Sequence, residues 1–283
     1  MRIILIASII FLLSGCQEQN NKPEPEYGNN SAVGQYTEVN GIKMYYEIYG
    51  QGEPLLLIHG NGDGMNAMRK QISYFSKYYK VIAVDSRGHG KTIDAGDSLT
   101  YELMASDMDG LLDKLSIDSA YIIGQSDGAI LGLIMGYQFP GRVIKLAAMS
   151  PNTRPDSAVF YPDDSNWMVT AWDEAQQAIK NGDSKGMIKL KQIRLMKNHP
   201  HITNEQLAQV KPPVLLMTGD RDLILLNHIQ EIYSGLPRVQ LCVLPGSSHF
   251  ALRENPLVFD ETIHRFFKNS FSMPNSFEGL KDY

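Results

Sequence analysis

The chain has 283 residues, 43% of them apolar and 20% charged, and carries a formal net charge of −5. That size and balance suit one large globular domain with an insertion. The absence of a basic run argues against nucleic acid as a partner, because phosphate neutralisation needs clustered Lys and Arg. Two cysteines, Cys16 and Cys242, build no disulfide framework, and no Cys/His group has zinc spacing, so no metal or organic cofactor is expected.

In chain order, Arg2 precedes an apolar run from Ile3 to Leu13, about half the length a membrane-spanning helix requires. The run ends in Leu13-Ser14-Gly15-Cys16, which resembles the bacterial lipobox. The resemblance implies that residues 1–15 are a lipoprotein signal peptide and that Cys16 becomes the lipidated N-terminus. Residues 16–35 are polar and contain Pro23, Pro25, Gly28 and Gly34, a composition that suits a flexible tether. Gln17 is not Asp, so similarity to Gram-negative sorting rules implies a lipid-anchored protein of the cell envelope, in the outer membrane. The bilayer partner would hold the acyl chains by about 0.8 kcal/mol for each buried CH₂.

Tyr36 to Tyr49 alternates around Asn40-Gly41, a type I′ hairpin signal. Apolar runs of strand length follow at Leu55–Ile58, Val81–Val84, Tyr121–Ile123, Val143–Met149, Val214–Met217 and Gln240–Leu244, separated by helix-length segments. Runs apolar on both faces and spaced by helices read as buried parallel strands. Ser98-Leu99-Thr100 starts a helix over Tyr101–Leu115. The regular beat breaks between Ser150 and Lys211, where helices are expected near Ser165–Lys180 and Ser184–Lys197. A third is opened by the capping box Thr203-x-x-Gln206. Residues 151–210 therefore form a helical lid on a core of residues 36–150 and 211–269. A tail, 270–283, shows no periodic pattern.

The most informative stretch is Gly124-Gln125-Ser126-Asp127-Gly128, between the apolar run Ala120–Ile123 and an amphipathic segment from Ala129 to Phe139. This is the setting of a G-x-S-x-G nucleophile elbow, in which a serine at a tight strand-to-helix turn is lifted above a sheet. Serine needs a base to take its proton, and the base needs an orienting carboxylate. Both stand just past apolar strands, in Thr218-Gly219-Asp220-Arg221-Asp222 and in Pro245-Gly246-Ser247-Ser248-His249-Phe250.

These motifs, in the order Ser…Asp…His, resemble those of the α/β-hydrolases from Tyr36 to about Lys268. Further matching segments are His59-Gly60-Asn61-Gly62, Asp85-Ser86-Arg87-Gly88-His89-Gly90, and Gly246 to Pro256. The resemblance implies an α/β-hydrolase fold: a mostly parallel eight-stranded sheet flanked by helices, with the lid inserted. It also implies Ser126 as nucleophile, His249 as general base and then acid, Asp222 as orienting acid, and main-chain N–H groups of Asn61 and Asp127 as the oxyanion hole. Asp220 and Asp156 are rivals to Asp222; Asp220 would otherwise support its turn by an Asx-type hydrogen bond. His59, His89 and Arg87 read as loop braces, and His199, His201, His228 and His264 as surface or lid residues. Met65, Met68, Met149 and Met168 read either as an apolar acyl pocket or as plain core.

Asp127 is the unusual choice. The S-D-G elbow is similar to that of biphenyl hydrolase-like (valacyclovir-hydrolysing) enzymes, where this acid holds a substrate's α-amino group, so its side chain is a substrate-binding candidate. A carboxylate at a helix N-terminus also has a simpler use in complementing the helix dipole. The resulting reading is a serine hydrolase that cleaves small carboxylic esters through an acyl-enzyme. Its alternatives are an aminopeptidase of proline-iminopeptidase type, with Asp163, Asp164 and Asp173 as amine site, and a hydrolase-fold ligand-binding protein with little turnover.

Overall fold

The computed structural model describes residues 26–162 and 165–279; the expected signal segment, Cys16, and residues 163 and 164 lie outside them. One sheet holds β1 (Gly34–Val39), β2 (Ile42–Tyr49), β3 (Pro54–Ile58), β4 (Lys80–Val84), β5 (Ala120–Gln125), β6 (Val143–Met149), β7 (Val214–Gly219) and β8 (Val239–Leu244). Their spatial order is β1-β2-β4-β3-β5-β6-β7-β8. Only the β1/β2 and β2/β4 pairs are antiparallel. The β1–β2 hairpin turns at Asn40 (φ 44°) and Gly41 (φ 78°), both positive as a type I′ turn demands.

Helices α1 (Arg69–Phe75), α2 (Tyr101–Lys114), α3 (Asp127–Gln138), α4 (Trp167–Lys180), α5 (Lys185–Asn198), α6 (Asn204–Leu207), α7 (Leu226–Gly235), α8 (Ala251–Glu254), α9 (Pro256–Lys268) and the short α10 (Ser276–Gly279) complete the chain. Two apolar clusters form, one on each face of the sheet. The first joins α2, α3 and α7 to residues such as Leu56, Ile122 and Leu216. The second joins α1 and α9 to their sheet neighbours Leu57, Ile123 and Met217. Strand side chains alternate between faces, so strands covered by helices on both sides must be apolar throughout. β5 and β7 are buried at every position. β8 departs from that expectation. It is the edge strand, and Leu241 and Val243 are more than 40% exposed.

The segments starting at Ser165, Ser184 and Thr203 are α4, α5 and α6, inserted between β6 and β7. Both halves of the Thr203/Gln206 capping box are made. The insertion is tied to the sheet's carboxyl end where Tyr161 N–H donates to Leu223 O and Leu225 N–H donates to Val159 O, each at 2.9 Å.

The first described residues and the start of the tail dock more closely than their composition implies. The buried Glu47 carboxylate accepts from Gly28 N–H (2.8 Å), Asn30 N–H (2.8 Å), Tyr45 OH (2.7 Å) and Tyr49 OH (2.6 Å). A buried carboxylate left without donors would be costly. The folded unit therefore begins by Gly28, within the stretch assigned to the tether. At the other end Gln240 Nε2 donates to Ser272 O (2.8 Å), which holds the start of the tail against β8.

Candidate active site

The register of the sheet brings three chain segments together. Gln125, Met149, Met217 and Cys242 are successive neighbours across β5, β6, β7 and β8. Ser126 follows the first of these and Ser150 the second. Asp222 and His249 lie in the loops that leave β7 and β8.

Ser126 has φ 54° and ψ −116°, a backbone conformation that L-residues avoid. The turn that imposes it depends on its glycines. A Cβ on Gly124 would lie 2.2 Å from Gly128 O, and one on Gly128 would lie 2.0 Å from Ile58 O. Neither residue can be larger without separating α3 from the sheet. Ser126 is only half-buried, in contrast to the residues on both sides of it.

His249 Nδ1 lies 2.8 Å from Asp222 Oδ1. The geometry makes Nδ1–H the donor, which leaves the Nε2 lone pair free to accept a proton. Asp222 Oδ1 also accepts from Ile224 N–H (3.0 Å). Its Oδ2 accepts from Ser150 Oγ, Thr218 Oγ1 (3.2 Å) and Gly219 N–H (3.4 Å). Burial pushes the Asp222 carboxyl up, but the bonds and charge of His249, with Ile224 N–H and Ser150, outweigh it. The net position is below the ordinary carboxylate range, so the group stays ionised. Ser150, itself at φ 55°, is a support that the sequence did not single out.

The two rivals are engaged elsewhere. Asp220 Oδ1 accepts from Ser247 N–H (3.2 Å), a bridge between the β7 and β8 loops in place of the expected Asx turn. Asp156 is exposed, caps the 3₁₀ turn at Ser157–Val159 and pairs with Arg154 at 2.8 Å.

Asn61 N–H and Asp127 N–H have no acceptor among the described residues. Asn61 is in the loop after β3, where a Cβ on the adjacent Gly60 would sit 3.3 Å from Ser126 Cβ. The side chains of this pair are joined, Asn61 Nδ2 donating to Asp127 Oδ2 at 2.9 Å. Tyr101 OH donates to Asp127 Oδ1 at 2.7 Å. With both oxygens held from within and the residue 4% exposed, the carboxylate does not present itself to a ligand. That occupancy goes against the amine-holding reading of Asp127. Burial raises its pKa, which the donors only partly offset, and burial pushes the Tyr101 phenol well above its usual value.

The neighbouring loops are braced as expected. His59 Nδ1 bonds Gly60 O (2.7 Å) and its Nε2 accepts from Ser86 N–H (3.1 Å), linking the loops after β3 and β4. Arg87 is buried in an ion network, bidentate to Asp107 (2.7 and 2.8 Å) and 3.0 Å from Asp94. Lys191 of α5 closes the network onto Asp94 at 2.8 Å. Burial holds the His89 imidazole down to about 4, with His59 adding to the effect.

A cavity of about 380 Å³ opens beside His249, between Tyr161, Leu223 and Phe250. Its lining reaches Asp222, His249 and Ser248 but does not include Ser126, Asn61 or Asp127. Met65, Met68 and Met149 do not line it; they are core residues at 1% exposure or less. His228, expected at the surface or in the lid, is a 1% exposed residue of α7, with Nδ1 on Glu231 (2.9 Å) and Nε2 accepting from Thr153 N–H (3.1 Å). Asp173 is exposed on α4, and Asp163 and Asp164 lie outside the described residues.

Comparison with known proteins agrees with this architecture. Residues 53–187 match the model for the alpha/beta hydrolase fold. The chain is 25% identical over 262 residues to the putative carbamate hydrolase RutD of Azorhizobium caulinodans, across 82% of this chain and 97% of that protein. Among solved structures it is similar to the enol-lactonase from Burkholderia xenovorans LB400, with TM-score 0.68 and 20% identity over 83% of this chain and 100% of that one. It is also similar to a thermophilic esterase from Thermogutta terrifontis, with TM-score 0.67 and 20% identity over 83% and 98%. Strand order, elbow and matched segment together make this chain an α/β-hydrolase-fold protein.

Proposed function

We propose that the chain is a serine hydrolase that cleaves small carboxylic esters. The observation that carries the reading is the strained, half-buried Ser126 at the β5–α3 turn, with the His249–Asp222 pair in the loops that leave β7 and β8. In this mechanism His249 Nε2 takes the Ser126 hydroxyl proton as Oγ attacks the ester carbonyl. The tetrahedral oxyanion is held by Asn61 N–H and Asp127 N–H, and His249 then protonates the leaving alcohol. Water, activated by the same imidazole, releases the acyl group. Ser126 Oγ has no hydrogen bond among the described residues, and catalytic hydrogen bonds of this kind commonly tighten only when substrate is bound.

The Asp127 carboxylate serves in this reading as a brace. By holding the Asn61 side chain it sets the position of one oxyanion donor relative to the other. The similar proteins point the same way in chemical class, since an esterase and an enol-lactonase are named for carbonyl–oxygen bond cleavage and RutD for carbamate hydrolysis. A panel of chromogenic esters graded by acyl length tests the reading. Turnover that vanishes in Ser126→Ala supports it, and a wild type inert toward every ester contradicts it.

The lipid anchor rests on the sequence around Cys16. We propose that it tethers the enzyme to the envelope, and Cys16→Ser should move the protein from the membrane to the soluble fraction.

A further inference from the structure

We infer that Lys189 binds an anionic group of the substrate, so that the preferred ester carries a carboxylate a few bonds from its scissile carbonyl. This rests on the serine-hydrolase reading and names the substrate class for that same site.

Lys189 Nζ lies over the loop that follows β3: a Cβ on Gly62 would stand 3.3 Å from it. Gly62 directly follows Asn61, one of the two proposed oxyanion donors. Lys189 is half-buried, and its ammonium has neither a hydrogen bond nor an ion pair among the described residues. The acid next along the loop, Asp63, is taken by Arg253 at 2.6 Å.

The position is fixed by the helix that carries it. In α5, Lys191 Nζ donates to Asp94 Oδ2, Asp94 O and Gly96 O, each at 2.8 Å. Gln192 Nε2 donates to Gly88 O (2.8 Å), and Gln192 O accepts from Asn61 Nδ2 (3.3 Å). Lys189 and Gln192 are three residues apart and share a face of the helix. The same Gly62 Cβ would lie 3.9 Å from Gln192 Oε1. The bonds that hold Gln192 to the loops after β3 and β4 therefore also keep Lys189 on the side of Gly62.

Charge supports the same conclusion. α5 carries Lys185, Lys189, Lys191, Arg194 and Lys197 and no acid, in a chain of net charge −5. Lys191 is neutralised by Asp94, while Arg194 and Lys197 lie over the Trp172 ring. Among the described residues Lys189 is left without a counter-charge, facing the loop after β3. A half-buried ammonium has given up part of its hydration, and a carboxylate there would restore the loss through a charge-assisted hydrogen bond.

The test compares mono-p-nitrophenyl glutarate with p-nitrophenyl pentanoate, an acyl chain of the same length with a methyl group in place of the terminal carboxylate. Wild type, Lys189→Met and Lys189→Arg are assayed, with folding checked by thermal melts. Lys189→Met should lower the ratio of kcat/KM for the anionic over the neutral ester about tenfold or more, and Lys189→Arg should keep most of it. A ratio unchanged in Lys189→Met, or a wild type that turns over the neutral ester and rejects the anionic one, overturns the inference. If the wild type turns over neither ester, the ester reading fails by itself. Calorimetric titration with glutarate then decides the site. Binding about tenfold weaker in Lys189→Met upholds it, and equal affinity or no binding to the wild type overturns it.

Discussion

The side-chain amide of Asn61 donates to the carboxylate of Asp127 at 2.9 Å, and so joins the two residues whose main-chain N–H groups are the proposed oxyanion donors. An oxyanion hole works when its donors are fixed before charge develops, because reorganisation during the reaction would consume the gain. The bond crosses from the loop after β3 to the start of α3, the two segments that must keep their separation. Tyr101, from α2, anchors the other carboxylate oxygen.

Asp127→Ala should therefore lower kcat for plain and amine-bearing esters alike, by about tenfold or more, with little change in KM. It should also destabilise the fold by about 1–3 kcal/mol, because Tyr101 OH loses its buried acceptor. Steady-state kinetics on matched ester pairs checks this. A loss confined to amine-bearing esters would return Asp127 to a substrate-binding role.

Asp222→Asn should cost far more activity than Asp220→Asn. An amide at the orienting position favours the wrong imidazole tautomer, an effect of about 10⁴-fold in a comparable triad. Among the described residues the Asp220 side chain bonds only the Ser247 main chain, so its amide should lose less than about tenfold. Ser150→Ala should fall between them, since it removes one of the donors on Asp222 Oδ2. kcat of the three variants gives the ranking, and an Asp220 effect larger than that of Asp222 would reassign the acid.

Asp260, buried against Gln71 Nε2 at 3.1 Å, has its pKa raised by burial from 3.8 to about 7. A carboxyl raised on folding favours the native state while it is protonated. Its contribution is therefore full at acid pH and is lost as pH climbs from about 4 through 7, by up to about 4 kcal/mol. Asp260→Asn removes that ionisation and offers a donor near Gln71 Oε1, which has no partner among the described residues. Urea unfolding of both proteins across pH 5 to 8 should show the variant's advantage growing with pH and levelling above about 7. Parallel profiles would contradict the assignment.

What the sequence disclosed follows from the range of each interaction. The Asn40-Gly41 turn, the Thr203/Gln206 capping box and the elbow at Ser126 are local, so their residue types declare them. The pairing of Asp222 with His249 was legible through loop motifs at strand ends. Ser150 was not, because its value depends on β6 lying between β5 and β7. The fate of the Asp127 side chain depends on Tyr101, 26 residues earlier, and on a loop from another strand. Likewise the Arg87–Asp94–Lys191 network spans β4 loop and lid, and only its Arg87 end was singled out. The docking of residues 28–30 is not legible, because polar composition does not reveal main-chain donors such as Gly28 and Asn30 that satisfy a buried Glu47.

The central claim is that Ser126 Oγ is the nucleophile, activated by His249. A fluorophosphonate probe followed by peptide mass spectrometry tests it most directly, since the reagent modifies only a serine whose proton a neighbouring base removes. The account predicts a single adduct on Ser126, absent in Ser126→Ala and strongly slowed in His249→Ala. An adduct on another serine, or none on the folded wild type, would contradict it.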